Sequence, residues 1–240
     1  MAISNFAIAQ IPMSKTISDS AIVAATRTDG KQGLAYTEVS KDDLKKQNLG
    51  QDIPVLLNQT PSVVVSSDAG NGVGYTGIRV RGSDATRINV TVNGIPMNDA
   101  ESHGLFWVNM PDFASSVNSM QIQRGAGTST NGAGAFGASI NIQSNVLNAE
   151  PYAEVNSSAG SFNTFKNTVM VGSGLVGGKF TFDARLSKIT SDGYVDRAFS
   201  DLKSFFVSGG IMVPRLLSGL MFFRVKSAPT NHGMAYPKRL

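Results

Sequence analysis

Gly132-Ala133-Gly134-Ala135-Phe136-Gly137 reproduces the G-x-G-x-x-G spacing that brings backbone N–H groups close to a dinucleotide pyrophosphate. That chemistry needs a strand before the glycines and a helix after them, because the helix N-terminus holds the phosphates. Here residues 138–143 alternate as a strand, Pro151 follows, and no crossover helix separates the glycines from the acid at Glu154. The glycines therefore read as turn formers. Asp99, Glu101 and His103 alternate and could in principle meet a metal, but a metal site needs further ligands and groups that orient them. They read as a polar loop between strands. His103 and His232 are the two histidines, and there is no cysteine. That excludes a disulfide scaffold, thiol catalysis and cysteine-ligated zinc or iron–sulfur centres. No serine stands in a nucleophile-elbow context. The residues assemble no catalytic site, no cofactor site and no metal set, so the chain is not read as an enzyme.

The elements that carry these residues change in texture along 240 residues. A 41% apolar and 16% charged composition excludes a disordered chain and a coiled coil. No apolar run approaches the ~20 residues of a spanning helix, which leaves strands or a surface for any membrane role. Net charge is +4, but Lys and Arg are scattered, so nucleic acid is not expected as a partner. In residues 1–10, Ala7-Ile8-Ala9 has the small-x-small form of a signal cleavage site, and a polar leader fits equally. Ser40-Lys41-Asp42-Asp43 predicts a capped helix ending at Asn48-Leu49-Gly50, and a second helix follows from Asp52 with Pro54 in its first turn. Alternation at Ile78 and Val80, at Ile88, Val90 and Val92, at Met120 and Ile122, and at Ile140 and Ile142 predicts strands. Asn93-Gly94 predicts a hairpin turn, and Pro96 excludes a central strand. After Pro151, Phe180, Phe182, Ala184 and Leu186 alternate with Thr181, Asp183, Arg185 and Ser187. A soluble sandwich and a transmembrane barrel hairpin of ~10-residue strands both give that pattern.

From about Asp19 to Gly210 the chain resembles the start of a TonB-dependent outer-membrane receptor, of the type common in Bacteroidetes-like bacteria. Leu56-Leu57-Asn58-Gln59-Thr60-Pro61-Ser62-Val63 is similar to the start of that family's plug. Ile78-Arg79-Val80-Arg81-Gly82 resembles its "IRGxG"-type strand, and residues 87–96, from Arg87 through Asn93-Gly94 to Pro96, its "RxxVLxDGxP" run. Gln123-Arg124-Gly125, followed by Gly134-Ala135-Phe136-Gly137 and Ala138-Ser139-Ile140-Asn141-Ile142, resembles its "RGP…INI" stretch. Ser62, Asn93 and Ala126 depart from the usual glycine, aspartate and proline. Asp19-Ser20-Ala21-Ile22-Val23 is similar to the family's TonB box, which the energising partner takes up as an added strand.

The resemblance implies an α+β plug domain followed by antiparallel strands of an incomplete transmembrane β-barrel. A leader would occupy residues 1–36, the plug 37–148, the first barrel strands 149–210 and an aberrant tail 211–240. A whole wall of ~22 strands exceeds what residues 151–240 supply. The implied activity is uptake of a scarce nutrient, such as a siderophore or cobalamin, across a Gram-negative outer membrane. Its partners would be TonB, the membrane, the remaining barrel and a small ligand, with no cofactor. Arg79, Arg81, Arg87 and Arg124 would pair with wall carboxylates; ordinary surface charge is the alternative. Gly125, Gly134 and Gly137 would serve tight turns. A secreted or surface β-rich binding protein remains the alternative function. In residues 211–240, Pro214, Pro229 and Pro237 interrupt the barrel pattern, and the tail is expected to be an out-of-frame translation. Codons for Gly210–Pro214 can be chosen so that a shifted frame reads Tyr-Tyr-Gly-Thr, the continuation the family would have. Sequencing the gene should reveal further receptor-like strands in that frame; a frame without them refutes the expectation.

Overall fold

A computed structural model describes residues 6–8, 27–28, 33–127, 133–144, 148–213 and 216–227. Ser40 starts α1 (Lys41–Gln47) with the predicted capping box: its hydroxyl accepts from the Asp43 N–H at 3.3 Å, and Asp43 accepts from the Ser40 N–H. Asp42 and Asp43 in the first turn and Lys45 and Lys46 in the last complement the helix dipole. After α2 (Ile53–Leu56), with Pro54 in its first turn, β3 (Val63–Ser67) and β4 (Thr76–Val80) form a hairpin.

A five-stranded mixed sheet lies beside this hairpin, in the order β2 (Tyr36–Ser40), β7 (Val117–Arg124), β8 (Ala138–Ser144), β5 (Ile88–Val92) and β6 (Ile95–Pro96). Strands β5 and β8 pair in parallel and the other neighbours are antiparallel. Pro96 sits on the edge strand, where its missing N–H costs no ladder bond. Met120, Ile122, Ile140 and Ile142 are buried on one face, with Leu44, Leu57, Val80 and Phe113 in the same core. The glycine stretch joins β7 to β8 through a short 3-10 turn at Ala133–Ala135, and a strand rather than a helix follows it. Gly137 serves close approach, because a Cβ there would lie 2.6 Å from the Ser83 Cβ and 2.8 Å from the Arg87 carbonyl.

The second unit is a meander of β9 (Pro151–Gly160), β10 (Thr164–Ser173), β11 (Phe180–Ser191), β12 (Ser200–Val213) and β13 (Leu216–Ser227), with β1 (Phe6–Ile8) beside β9. Its faces are inverted relative to a water-soluble sheet. Phe182 and Leu186 are 60% and 65% exposed, while Thr181, Asp183, Arg185 and Ser187 between and beside them are buried. The first unit packs on that polar face. Phe113 meets Phe206 edge-on with ring centroids 6.2 Å apart, and Val73 and Val108 cluster with Ile189 and Leu202. In the terms of the resemblance, the first unit stands where a plug would and the second where strands of its barrel wall would, and these words name the two units below.

Pairing does not stop at Gly210. Strand β12 runs on to Val213, and β13 pairs with it from Leu202↔Ser227 to Val213↔Leu216. Ladder bonds join backbones and need no side-chain alternation, and Ile211, Val213, Phe222 and Phe223 suit a strand. The rest of the tail, residues 214–215 and 228–240, lies outside the described residues.

Asp52, which precedes α2, is 3% exposed and accepts from the Thr76 hydroxyl at 2.9 Å. Burial raises its carboxyl to about 7, against the bonds from Thr76 and the Gly74 N–H. The folded state thus binds a proton that the unfolded chain, with a value of about 3.9, has released. Stability should fall as pH rises from about 4 to 7, by up to about 4 kcal/mol, and level off above. Asp52→Asn should flatten that decline; urea midpoints across pH 4–8 that slope equally in both proteins would contradict it.

Candidate functional site

The contact between plug and wall centres on a carboxylate that the wall strands surround with donors. Asp112 lies at φ 52°, ψ 21°, a left-handed conformation that Asp tolerates better than most residues, and it opens a 3-10 turn at Phe113–Ser116. This kink aims the side chain at the wall. Lys166 of β10 places its Nζ 2.8 Å from Oδ1, and Arg185 of β11 places an Nη1 3.4 Å from Oδ2. The Thr168 and Ser187 hydroxyls donate to Oδ2, each at 2.6 Å. Ser115 donates to Oδ1 at 2.6 Å and the Asn48 amide at 3.3 Å. Arg185 also donates to the Asp112 main-chain carbonyl, while Ser204 of β12 donates to the Pro111 carbonyl at 3.0 Å. Lys166 donates further to the Asn48 carbonyl at 3.3 Å.

Asp112, Lys166 and Arg185 are at most 3% exposed. Burial alone would raise the Asp112 carboxyl. The charges of Lys166 and Arg185 and the bonds from Lys166 and Ser115 outweigh it and hold the group well below the usual carboxylate range. Its stabilising contribution is therefore complete at neutral pH and is lost only as pH falls below about 4 toward that lowered native value. The cluster has no bond-breaking geometry; it is an anchor. A second, more exposed contact joins Lys45 of α1 to Glu154 of β9 at 3.0 Å.

The arginines singled out in the sequence lie elsewhere. Arg79, Arg81 and Arg87 are exposed. Arg87 covers the Phe136 ring at 5.4 Å, Arg81 lies against Gly125, and Arg124 donates to the Pro61 carbonyl at 3.3 Å. Among the described residues none of these pairs with a wall carboxylate. The strongest contact has the opposite sense, with wall cations on a plug anion. Asn93 (φ 51°) and Gly94 (φ 81°) form the predicted turn, and Asn93 also grips the end of β8: its amide donates to the Ser144 hydroxyl at 2.8 Å and its carbonyl accepts from the Ser144 N–H at 3.0 Å. Gly82 (φ 79°) and Gly125 (φ 91°) occupy turns, and Gly134 lies in the short 3-10 turn. Gly132 and the TonB-box-like Asp19–Val23 lie outside the described residues.

Two leader residues are held on the polar face of the plug sheet. The Gln121 side chain accepts from the Thr28 N–H at 2.9 Å and donates to the Thr28 carbonyl at 3.0 Å, as a neighbouring strand would. Arg27 donates to the Ser119 hydroxyl at 2.8 Å and to the carbonyls of Ser119 and Asn141 at 3.0 and 3.1 Å. The chain just beyond the box-like segment is thus clasped to β7 and β8. Sequence reasoning missed both this clasp and Asp112. Lys166 and Arg185 on the polar register of their strands were the available signal, since buried cations require an anion.

A family model described as the TonB-dependent Receptor Plug Domain matches residues 30–139. A curated relative described as a probable TonB-dependent siderophore receptor, PirA of Acinetobacter baumannii, is 25% identical over 135 residues, which are 52% of this chain and 18% of that protein. Among solved structures, the ferric-catecholate import receptor Fiu of E. coli K12 aligns with a TM-score of 0.68 at 17% identity, over 86% of this chain and 29% of the receptor. The siderophore receptor PirA of A. baumannii aligns with a TM-score of 0.64 at 18% identity, over 89% of this chain and 34% of the receptor. The chain therefore spans about a third or less of the proteins it matches.

Asp112→Asn keeps the shape of the anchor and leaves two buried cations short of their anion. It should lower stability against denaturant by about 3–5 kcal/mol. A change below 1 kcal/mol would show that the cluster does not anchor the plug. Gln121→Ala should leave the Thr28 amide exchanging about tenfold faster with solvent, because the Gln121 side chain accepts from it at 2.9 Å; unchanged protection would refute the clasp.

Proposed function

We propose that this chain, whose residues 30–139 are a TonB-dependent receptor plug domain followed by strands of the receptor barrel, serves ferric-siderophore uptake across the outer membrane of a Gram-negative bacterium. The inverted wall carries the reading. A sheet that exposes Phe182 and Leu186 and buries Lys166 and Arg185 suits a position with lipid on one side and the plug on the other. A secreted β-rich protein would turn its phenylalanines inward. The siderophore class is carried over from the relatives, whose descriptions name siderophore and ferric-catecholate receptors.

In this reading the plug closes the lumen and the Asp112 anchor seats it on the wall. TonB takes up Asp19–Val23 as an added strand. Tension on that strand reaches the Arg27–Thr28 clasp first and passes into β7 and β8. Arg79, Arg81 and Arg87 remain exposed for carboxylates on wall strands beyond those described.

Ile22→Pro removes the N–H that strand addition requires. In iron-starved cells, the receptor containing this segment should import radiolabelled ferric siderophore, and the Ile22→Pro variant should bind the siderophore without importing it. Equal import by both proteins would overturn the TonB-driven mechanism, and import of cobalamin but of no ferric siderophore would overturn the ligand class.

A further inference from the structure

The outward face of the wall carries a row of cations where an apolar band would be expected. In the β10–β11–β12 register, Asn167 stands opposite Lys188, and Lys188 opposite Lys203; the register continues to Lys226 on β13, opposite Lys203. Lys188 and Lys203 are exposed, on the same face as Leu186 and Phe205. Directly opposed side chains in an antiparallel pair have Cβ atoms about 4.5–5.5 Å apart, and like charges at that spacing destabilise the sheet. Among the described residues neither lysine has an ion pair or a hydrogen bond. The nearest carboxylate of this face, Asp201, stands one row away, opposite Thr190, and pairs with neither lysine.

The next row on the other side is apolar: Val169 faces Leu186, and Leu186 faces Phe205. Both rows line one open concavity of about 640 Å³. A cationic row directly above an apolar one matches an amphiphile whose anionic head and hydrocarbon tail occupy those levels. On a lipid-facing strand, lysine ammonium groups reach for the headgroup level.

We propose that Lys188 and Lys203 form a binding site for a membrane lipid whose headgroup carries an anionic phosphate. The phosphate bridges the two ammonium groups and accepts from the Asn167 amide, and the acyl chain lies along Val169, Leu186 and Phe205. The anion relieves the repulsion between the lysines, so the lipid ties β10, β11 and β12 together from outside while the Asp112 anchor ties them from within. This rests on the wall facing lipid, and beyond that it names the chemistry of one lipid position.

Native mass spectrometry of the chain released from nonionic detergent, titrated with phosphatidic acid, phosphatidylcholine or inorganic phosphate, tests the site. Phosphatidic acid should be retained in preference to phosphatidylcholine. The Lys188→Gln/Lys203→Gln pair should weaken it about tenfold to thirtyfold, at about 1 kcal/mol per lysine. Lys179→Gln, an exposed turn lysine, should leave it unchanged, and the Lys188→Arg/Lys203→Arg pair should restore it, which a merely misfolded variant would not allow. Equal retention by wild type and the glutamine pair, equal retention of both lipids, or equal binding of inorganic phosphate overturns the proposal. Insertion of the receptor containing this segment into neutral phosphatidylcholine bilayers is scored separately: failure there strikes the membrane reading, and insertion without phosphatidic acid preference strikes this site alone.

Discussion

A strand that shows carbon to lipid on one side must turn its polar side chains inward, and those side chains must then be satisfied without bulk water. In the proposed setting Lys166 and Arg185 would meet that constraint by closing on Asp112, with Thr168, Ser187, Ser115 and Asn48 completing its coordination by hydrogen bonds. Such a group is costly to assemble by desolvation and costlier to break, since loss of one partner strands the others in a dry site. The plug is therefore more than a filler. It supplies the anion without which these inward faces would not be stable, and the wall supplies the cations that keep Asp112 ionised.

Besides that ionic contact the plug packs an apolar core, to which Phe206 of the wall also contributes. Its sheet buries Met120, Ile122, Ile140 and Ile142 against the helices and the β3–β4 hairpin, and its polar face carries the leader through Gln121 and Ser119. Contacts of two kinds thus hold the two ends of the mechanism. The wall contact is ionic and fully buried, whereas the leader clasp combines neutral Gln121–Thr28 bonds, worth about 1 kcal/mol each, with the charge-assisted bonds of Arg27 and its 3.6 Å ion pair to the exposed Glu38. In the proposed mechanism, tension applied at the leader would reach this clasp before the wall contact.

Much of this was legible in the residues because it is local. The capping box at Ser40, the turn at Asn93-Gly94, the edge position of Pro96 and the alternation of β11 follow from short-range rules, and the structure has each of them. Alternation alone did not distinguish a sandwich from a barrel wall. Which face is buried depends on the partner layer, and only the packing of the plug against Arg185 and Ser187 decides it. Asp112 was illegible for the same reason: its wall partners lie 54 to 75 residues away on separate strands, so no spacing rule joins them. The strand beyond Gly210 was missed because backbone pairing persists where side-chain alternation does not.

The central claim is that β11 faces lipid with one set of side chains and the plug with the other. This segment lacks cysteine, so single cysteines can be introduced in turn at positions 181 to 187 of the receptor containing it and labelled with a fluorophore in bilayers containing a lipid-phase quencher. Strong quenching at 182, 184 and 186 and weak quenching at 181, 183, 185 and 187 is the expected result. Uniform quenching, or the opposite alternation, would contradict it.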